Sequence, residues 1–279
     1  MRFNLGCELN YNVLQPTTLI LNVDVQHVPT QHVVSERFSI TRGVSSEVHT
    51  NPETGNRYRR LVLQPADYTV RYEAEIALTP SLEPTGAIGQ VPIADLPLDI
   101  MNHLFPSRYC QSDKLARFAW RQFGSIVSGY DKVTALCNWI YENVDYLAGS
   151  SDISTSAYDT FSLRAGVCRD FAHLGITFCR ALGIPARFVS AYGYRLEPQD
   201  FHAVFEAYLG GRWYLFDATR QSPANGIVRI GTGRDAADTA FATYYGNLSS
   251  RPKNVWINAI DDPDSNRAWT TEAVSLSAT

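Results

Sequence analysis

The segment GVCRDFAHL, residues 166–174, places a cysteine at the predicted first turn of a helix. The unpaired amides and the positive end of the helix dipole at such a position favour a thiolate over a thiol. A thiolate is the form of cysteine that attacks carbonyl carbons. Cys168 is therefore a candidate nucleophile, and the alternative is that it packs as a small apolar side chain, as free cysteines commonly do.

The other cysteines and the histidines do not form a recognisable disulfide or metal pattern. The cysteines are odd in number and widely spread, with no CxxC pair; they are Cys7, Cys110, Cys137, Cys168 and Cys179. The histidines contain no HExxH pattern. The sequence therefore predicts no disulfide framework, no metal site and no cofactor.

A hairpin is predicted in the segment DFHAVFEAYLGGRWYLFDATR, residues 200–220. Two β-rich runs flank the pair Gly210 and Gly211, which is typical of a two-residue turn. If these glycines form the turn, Phe205 lies opposite Phe216 and one face of the hairpin is apolar throughout. That apolar face is the reason to prefer this register over one with a longer turn.

On the other face of the hairpin, His202 is the diagonal neighbour of Asp217, about 7–8 Å away between α-carbons, so their side chains can touch. Taken singly, His202 could be a hydrogen-bonded histidine beside a sheet, and Asp217 could be a cap at a strand end. Together with Cys168 they supply the nucleophile, the base and the base-orienting group that thiol catalysis requires. The spacing alone therefore makes the three a candidate triad.

The elements that would position these residues change character near residue 80. Before it, the runs TLILNVDVQ and YTVRYEAEIAL alternate apolar and polar residues, which predicts antiparallel strands and an all-β, sandwich-like domain over residues 1–80. Closely spaced prolines then predict a Pro-rich linker over residues 81–106. Residues 107–279 are predicted to form the catalytic core.

Helical periodicity begins after the linker. Ser112 and Asp131 are the predicted caps of two helices whose apolar residues recur at helical spacing. Ser156, with Asp159 three residues on, has the spacing of a capping box. Residues 168–182 form a further predicted helix with one apolar face. Glu206, on the same hairpin face as the candidate base, is expected to be a solvated strand carboxylate.

Composition excludes some classes of function. The net charge of -4 gives no electrostatic support for a nucleic-acid partner. No apolar run approaches the roughly 18 residues of a membrane span, so no membrane partner is expected. The amino-terminal residues lack the apolar stretch of a secretory signal, which predicts a cytoplasmic protein. The sequence does not predict the oligomeric state.

The segments GVCRDFAHLGITFCRALGIPARFVSAYG and FHAVFEAYLGGRWYLFDAT resemble the core of the transglutaminase-like superfamily. PSRYCQSDKL and IGTGRDAADTAF resemble segments of bacterial transglutaminase-like proteins that carry an N-terminal β-domain. The resemblance implies an α+β fold, with a papain-like core of helices packed on an antiparallel sheet after an all-β domain. It also implies that Cys168 is the nucleophile, His202 its imidazole partner and Asp217 the orienting carboxylate.

The resemblance further implies acyl-transfer chemistry on a protein or peptide substrate. The oxyanion formed in such a reaction needs donors, for which the Cys168 amide and the Tyr146 phenol are candidates. Tyr146 could instead be a half-buried tyrosine at a strand end. The expected activity is hydrolysis of peptide or isopeptide bonds. The alternatives are a transglutaminase, which passes the same acyl group to an amine, and a non-catalytic protein-binding module.

Overall fold

The computed structural model describes residues 1–260 and 270–277. The last part of the predicted core, residues 261–269 and 278–279, lies outside the described residues. The described strands are β1 (Arg2–Val13), β2 (Thr17–Leu21), β3 (Gln31–Ile40), β4 (Ser46–Thr50), β5 (Arg57–Leu63), β6 (Ala66–Leu78), β7 (Ser81–Glu83), β8 (Asp145–Tyr146), β9 (Ala165–Gly166), β10 (Ala186–Gly193), β11 (Phe201–Leu209), β12 (Arg212–Phe216), β13 (Ile227–Gly233), β14 (Ala242–Tyr245), β15 (Leu248–Ser250), β16 (Asn254–Ala259) and β17 (Ala273–Ser275). The α-helices are α1 (Ser112–Phe123), α2 (Gly129–Asn143), α3 (Ala157–Leu163) and α4 (Cys168–Ala181).

The amino-terminal part is a sandwich of two antiparallel sheets. One sheet has the strand order β15-β1-β6-β3, with β16 also paired to β1, and the other has the order β14-β2-β5-β4. Alternate residues of β6 are buried between the sheets: Tyr68, Val70, Tyr72, Ala74 and Ile76. The alternation in YTVRYEAEIAL therefore predicted β6 correctly, because one face of this strand fills the core and the other is more exposed. The run TLILNVDVQ is a strand only as far as Leu21, and its polar residues Asn22, Asp24 and Gln26 are buried rather than wet.

The second part is an antiparallel sheet of order β12-β11-β10-β13 with helices on one side. Phe188 and Phe205 belong to a hydrophobic core that this sheet shares with α1, α2 and α4. Val189 follows Phe188 on β10, and Val204 precedes Phe205 on β11. Both valines point to the opposite face of the sheet and belong to the core of the sandwich. The sheet is thus buried on both faces, and the predicted α+β fold with a preceding β-sandwich is confirmed.

The predicted register of the β11–β12 hairpin is also confirmed. Phe205 pairs with Phe216, and the ring centroids lie 5.7 Å apart. Gly210 and Gly211 form the turn with φ angles of 55° and 91°. Glycine adopts positive φ without steric cost, and two consecutive positive φ angles match the twist of a two-residue hairpin.

The carboxy-terminal strands return to the amino-terminal sandwich. β15 and β16 pair with β1, and β14 pairs with β2. The sequence assigned all of residues 107–279 to the core, whereas these strands complete the sheets of residues 1–80. Their alternation indicates strands but does not indicate partners more than 200 residues away. The domain boundaries themselves stay a prediction.

Two helix starts differ from the prediction. α2 begins after Ser128, whose hydroxyl accepts the Asp131 amide at 3.3 Å, so Ser128 is the cap and Asp131 lies in the first turn. Ser112 is the first residue of α1 and makes no capping hydrogen bond. The capping box of Ser156 and Asp159 at the start of α3 is confirmed. Within the described chain, no helix is long and apolar enough to cross a bilayer.

Candidate active site

The nucleophile candidate opens helix α4. Cys168 is the first residue of α4, and its side chain is half-buried. The other four cysteines are buried, and burial raises the pKa of each thiol above its usual value; they are Cys7, Cys110, Cys137 and Cys179. Among the described cysteines, Cys168 is thus the one whose thiol is partly accessible to solvent.

The first turn of α4 is fixed by Asp170. Its Oδ2 accepts the Val167 amide at 2.9 Å, and its Oδ1 accepts the Arg169 guanidinium at 2.9 Å. A Cβ at Gly166 would lie 2.8 Å from the Asp170 Cβ, so only glycine fits before this turn. The Asp170 charge would oppose a thiolate on Cys168, and the ion pair with Arg169 offsets it.

His202 meets Asp217 as the hairpin register predicts. The His202 ring is fully buried, and its Nε2 lies 2.8 Å from Asp217 Oδ2. Burial opposes the charged imidazolium, but the charge and hydrogen bond of Asp217, together with Cys168, outweigh it and raise the pKa of His202. The Nδ1 atom has no hydrogen bond of good geometry, although the Cys168 thiol is close enough to affect the ring. Such contacts often tighten only when substrate binds.

The Asp217 carboxylate is held by the turn that follows β12. Its Oδ1 accepts the Thr219 amide at 2.8 Å and the Thr219 hydroxyl at 2.6 Å, and its Oδ2 accepts the Ser222 amide at 3.2 Å. Burial raises the pKa of Asp217, but the His202 charge and these hydrogen bonds outweigh it, so the pKa is lowered. Sequence reasoning missed Thr219, although Asp-x-Thr after a strand is a signal for such a turn.

The space for the imidazole ring depends on Gly193, the last residue of β10. A Cβ at this position would lie 3.1 Å from the His202 Cβ and 3.2 Å from the Ser222 Oγ. The Ser222 hydroxyl in turn donates to the Tyr194 carbonyl at 2.8 Å. The end of β10 thus supports both the imidazole ring and the turn that carries Asp217.

Tyr146 is brought beside Cys168 by a short strand pair. Tyr146 on β8 pairs with Gly166 on β9, two residues before Cys168. Partial burial and, to a smaller extent, the neighbouring Cys168 raise the pKa of Tyr146 to about 12. Both the backbone and the thiol of Cys168 lie close enough to the phenol to act on that pKa. The phenol is thus protonated at neutral pH and can donate a hydrogen bond near the Cys168 amide.

Glu206 does not lie where the sequence predicted. Its carboxylate is fully buried and is bound by Arg187 at 2.6 Å and by Arg229 at 2.9 Å. The expectation of a solvated carboxylate is wrong, because the neighbouring strands β10 and β13 each contribute an arginine and the sandwich covers this face. Among the described residues, no group of three or more His, Cys, Asp or Glu side chains is placed to hold a metal ion.

Two family models match the chain. The model of the "Bacterial transglutaminase, N-terminal domain" matches residues 1–99, and the model of the "Transglutaminase-like superfamily" core matches residues 117–218. The second range contains Cys168, His202 and Asp217, and the first covers most of the β-sandwich.

Similar proteins are known in several bacteria. The chain is 44% identical to a solved protein of Cytophaga hutchinsonii described as a "Putative Cysteine Protease", with a TM-score of 0.94 over 99% of this chain and 97% of that one. It is 34% identical over 118 residues to an uncharacterized protein of Mycobacterium leprae, which is 39% of this chain and 42% of that protein. An uncharacterized protein of Mycobacterium tuberculosis is 44% identical over 118 residues, or 37% of this chain and 38% of that protein.

The chain matches about two fifths of the length of these mycobacterial relatives. The solved relative, in contrast, is matched along almost its entire length, with the same fold. With a family model on each of its two parts, the chain belongs to the transglutaminase-like superfamily.

Proposed function

We propose that this protein is a cysteine-dependent hydrolase that cleaves peptide or isopeptide bonds through Cys168, His202 and Asp217. The observation that carries the proposal is the 2.8 Å hydrogen bond between His202 Nε2 and Asp217 Oδ2, next to a half-buried thiol at the start of a helix. A buried imidazole held by a carboxylate is the arrangement that keeps a neighbouring thiol ionised.

In the proposed reaction, the Cys168 thiolate attacks the carbonyl carbon of the scissile amide. The C–N bond breaks, the His202 imidazolium gives its proton to the leaving amine, and a thioester remains on Cys168. Water then attacks the thioester while His202 takes one of its protons, and the acid product leaves with the thiolate restored. Asp217 keeps the proton on Nε2 and stabilises the imidazolium in each step.

The oxyanion of each tetrahedral intermediate is proposed to be bound by two donors. One is the backbone amide of Cys168, which lies in the unpaired first turn of α4. The other is the phenol of Tyr146, which lies beside Cys168 and, like any protonated phenol, can donate a hydrogen bond. Two donors aimed at the developing charge are the usual composition of an oxyanion hole.

The thioester is common to hydrolysis and to amine transfer, so the acceptor decides the product. Amine transfer needs a pocket that holds a neutral amine and excludes water. The likeness to a protein described as a "Putative Cysteine Protease" supports hydrolysis, and the superfamily match alone supports either outcome. We therefore place hydrolysis first and transglutaminase activity second.

The test is product analysis by mass spectrometry. The protein is incubated with peptides that contain glutamine and lysine, together with a labelled primary amine, and Cys168→Ala is the control. Peptide cleavage or ammonia release that disappears in Cys168→Ala is the expected result. Incorporation of the label that outpaces both, and also needs Cys168, would overturn hydrolysis in favour of transglutaminase activity.

The same samples are treated with iodoacetamide at about pH 6, where an ordinary thiol is almost entirely protonated. Fast alkylation of Cys168 marks an activated nucleophile even if none of the peptides is turned over. An ordinary alkylation rate together with no turnover would refute the enzyme and favour a binding module.

A further inference from the structure

The turn from Asp217 to Ser222 directs three hydrogen-bond donors at the Asp217 carboxylate. Thr219 gives both its amide and its hydroxyl to Oδ1, at 2.8 and 2.6 Å. The Ser222 amide donates to Oδ2 at 3.2 Å, on the same oxygen that His202 contacts at 2.8 Å. Each carboxylate oxygen therefore accepts two hydrogen bonds, and three of these four bonds come from the same turn.

We infer that Thr219 is a positioning residue, whose hydroxyl fixes the rotation of the Asp217 carboxylate so that Oδ2 meets His202. The inference rests on the proposed function, because it concerns the orientation of the proposed triad. Thr219 acts on the reaction through Asp217 and the imidazole ring.

The direction of the Thr219 hydroxyl proton is set by its surroundings. The Gln221 amide donates to Thr219 Oγ1 at 3.2 Å, so that oxygen already serves as an acceptor. A hydroxyl has one proton to donate, and it points to Asp217 Oδ1. The hydroxyl therefore accepts from a backbone amide and donates to the charged carboxylate. A hydrogen bond to a charged group is shorter and stronger than one between neutral groups.

Other bonds hold the turn, so the hydroxyl is not needed to form it. The Arg220 amide donates to the Asp217 carbonyl at 3.3 Å, and Arg220 takes a positive φ of 57°. The Ser222 hydroxyl anchors the end of the turn on the Tyr194 carbonyl at 2.8 Å. Removing the Thr219 hydroxyl should thus leave the backbone in place and free the carboxylate to rotate about its Cβ–Cγ bond.

Removing the Thr219 hydroxyl should change the pH dependence of Cys168 reactivity in a predictable direction. The Thr219 hydrogen bonds help to lower the pKa of Asp217, so without the hydroxyl this carboxylate binds a proton at higher pH. A protonated Asp217 no longer supports the imidazolium, and the thiolate is lost with it. Removing the hydroxyl leaves the ionisable groups around Asp217 unchanged: His202 on β11 and Cys137 on α2 interact with it, and Arg220 in the turn and Glu272 line the same cleft. Cys168 on α4 interacts with His202.

The test compares the rate of Cys168 alkylation by iodoacetamide across the pH range in the wild type, Thr219→Val and Thr219→Ser. Thr219→Val keeps the amide and the shape and removes the hydroxyl. We expect its rate at acidic pH to fall about tenfold, the scale of one hydrogen bond to a charged group, and its acid limb to move to higher pH. Thr219→Ser should restore the wild-type profile.

Thr17→Val is the matched control, because the Thr17 hydroxyl also makes a short bond, 2.7 Å to the Gln15 carbonyl, but lies in the sandwich on β2. It should follow the wild type. Thr219→Ala is a second hydroxyl-free variant if Thr219→Val does not fold, as judged by circular dichroism.

A hydroxyl-free variant whose profile overlays the wild type would overturn the inference, and so would a Thr219→Ser profile that matches Thr219→Val. Failure of the proposed function has a different signature. In that case the wild type itself would show the reactivity of an ordinary thiol, with no dependence on His202, and both proposals would fall together.

Discussion

Replacing Asp217 by Asn should damage the reaction more than replacing it by Ala. Thr219 directs two donors at Oδ1, so an asparagine must keep its carbonyl oxygen there and turn its NH2 group toward His202. An NH2 group only donates, so Nε2 of His202 becomes the acceptor and the ring proton moves to Nδ1. Nδ1 is the nitrogen on the Cys168 side, and once protonated it cannot take the thiol proton.

The magnitudes of the two substitutions differ. Asp217→Ala removes one hydrogen bond to a charged group, worth about 1.5–3 kcal/mol, or about 10- to 150-fold in rate, and leaves both ring tautomers open. Asp217→Asn enforces the wrong tautomer, and the equivalent change in serine proteases costs about 10⁴-fold. We therefore expect Asn to be the slower variant by about a hundredfold in hydrolysis, and the slower variant by a narrower margin in alkylation at about pH 6, where an ordinary thiol is still about 0.3% ionised.

The assay is the initial rate of Cys168 alkylation at about pH 6, followed by peptide mapping, with hydrolysis measured once a substrate peptide is found. Unfolding by urea checks that both variants are folded. An Asp217→Asn protein as reactive as Asp217→Ala, or more so, would refute the tautomer argument and the orientation assigned to the carboxylate.

Three further predictions test separate parts of the site. Tyr146→Phe should slow hydrolysis by about 10²- to 10³-fold but slow alkylation of Cys168 far less, since alkylation forms no oxyanion and loses only the contact of the phenol with the thiol; equal losses in both assays would contradict the role. Gly193→Ala should displace the His202 ring, cutting hydrolysis while costing about 1–3 kcal/mol of the free energy of unfolding, and wild-type hydrolysis would contradict the packing argument. Glu206→Ala should leave the buried Arg229 and the partly buried Arg187 uncompensated and cost about 3–5 kcal/mol in urea unfolding, whereas a change below about 1 kcal/mol would show that water already reaches the two guanidinium groups.

Local sequence patterns were enough to predict the parts of the site that depend on neighbouring residues. The helix that begins at Cys168 follows from its apolar face, and the His202–Asp217 contact follows from a two-residue turn and the pairing of Phe205 with Phe216. Both are short-range consequences of period and turn chemistry. The catalytic roles of these residues stay predictions.

Contacts between distant segments could not be read from the sequence. The burial of Glu206 depends on Arg187 and Arg229, which come from two other strands, and on the sandwich that covers them. The pairing of Asn254–Ala259 with the first strand joins opposite ends of the chain. Alternation indicates that a segment is a strand, but not which strand it pairs with, because many partners bury an apolar face equally well.

The role of His202 and Asp217 in keeping Cys168 ionised is tested most directly by the pH dependence of Cys168 alkylation in the wild type and in His202→Gln. The raised pKa of His202 means that the imidazolium is lost only as pH rises through that value, and the lowered pKa of Asp217 means that its charge is lost only as pH falls through its own. Between these limits the wild type should react at a nearly constant rate, whereas the rate of His202→Gln should rise with pH, as it does for a thiol without an imidazole partner. Identical profiles for the two proteins, both rising toward alkaline pH, would contradict this role.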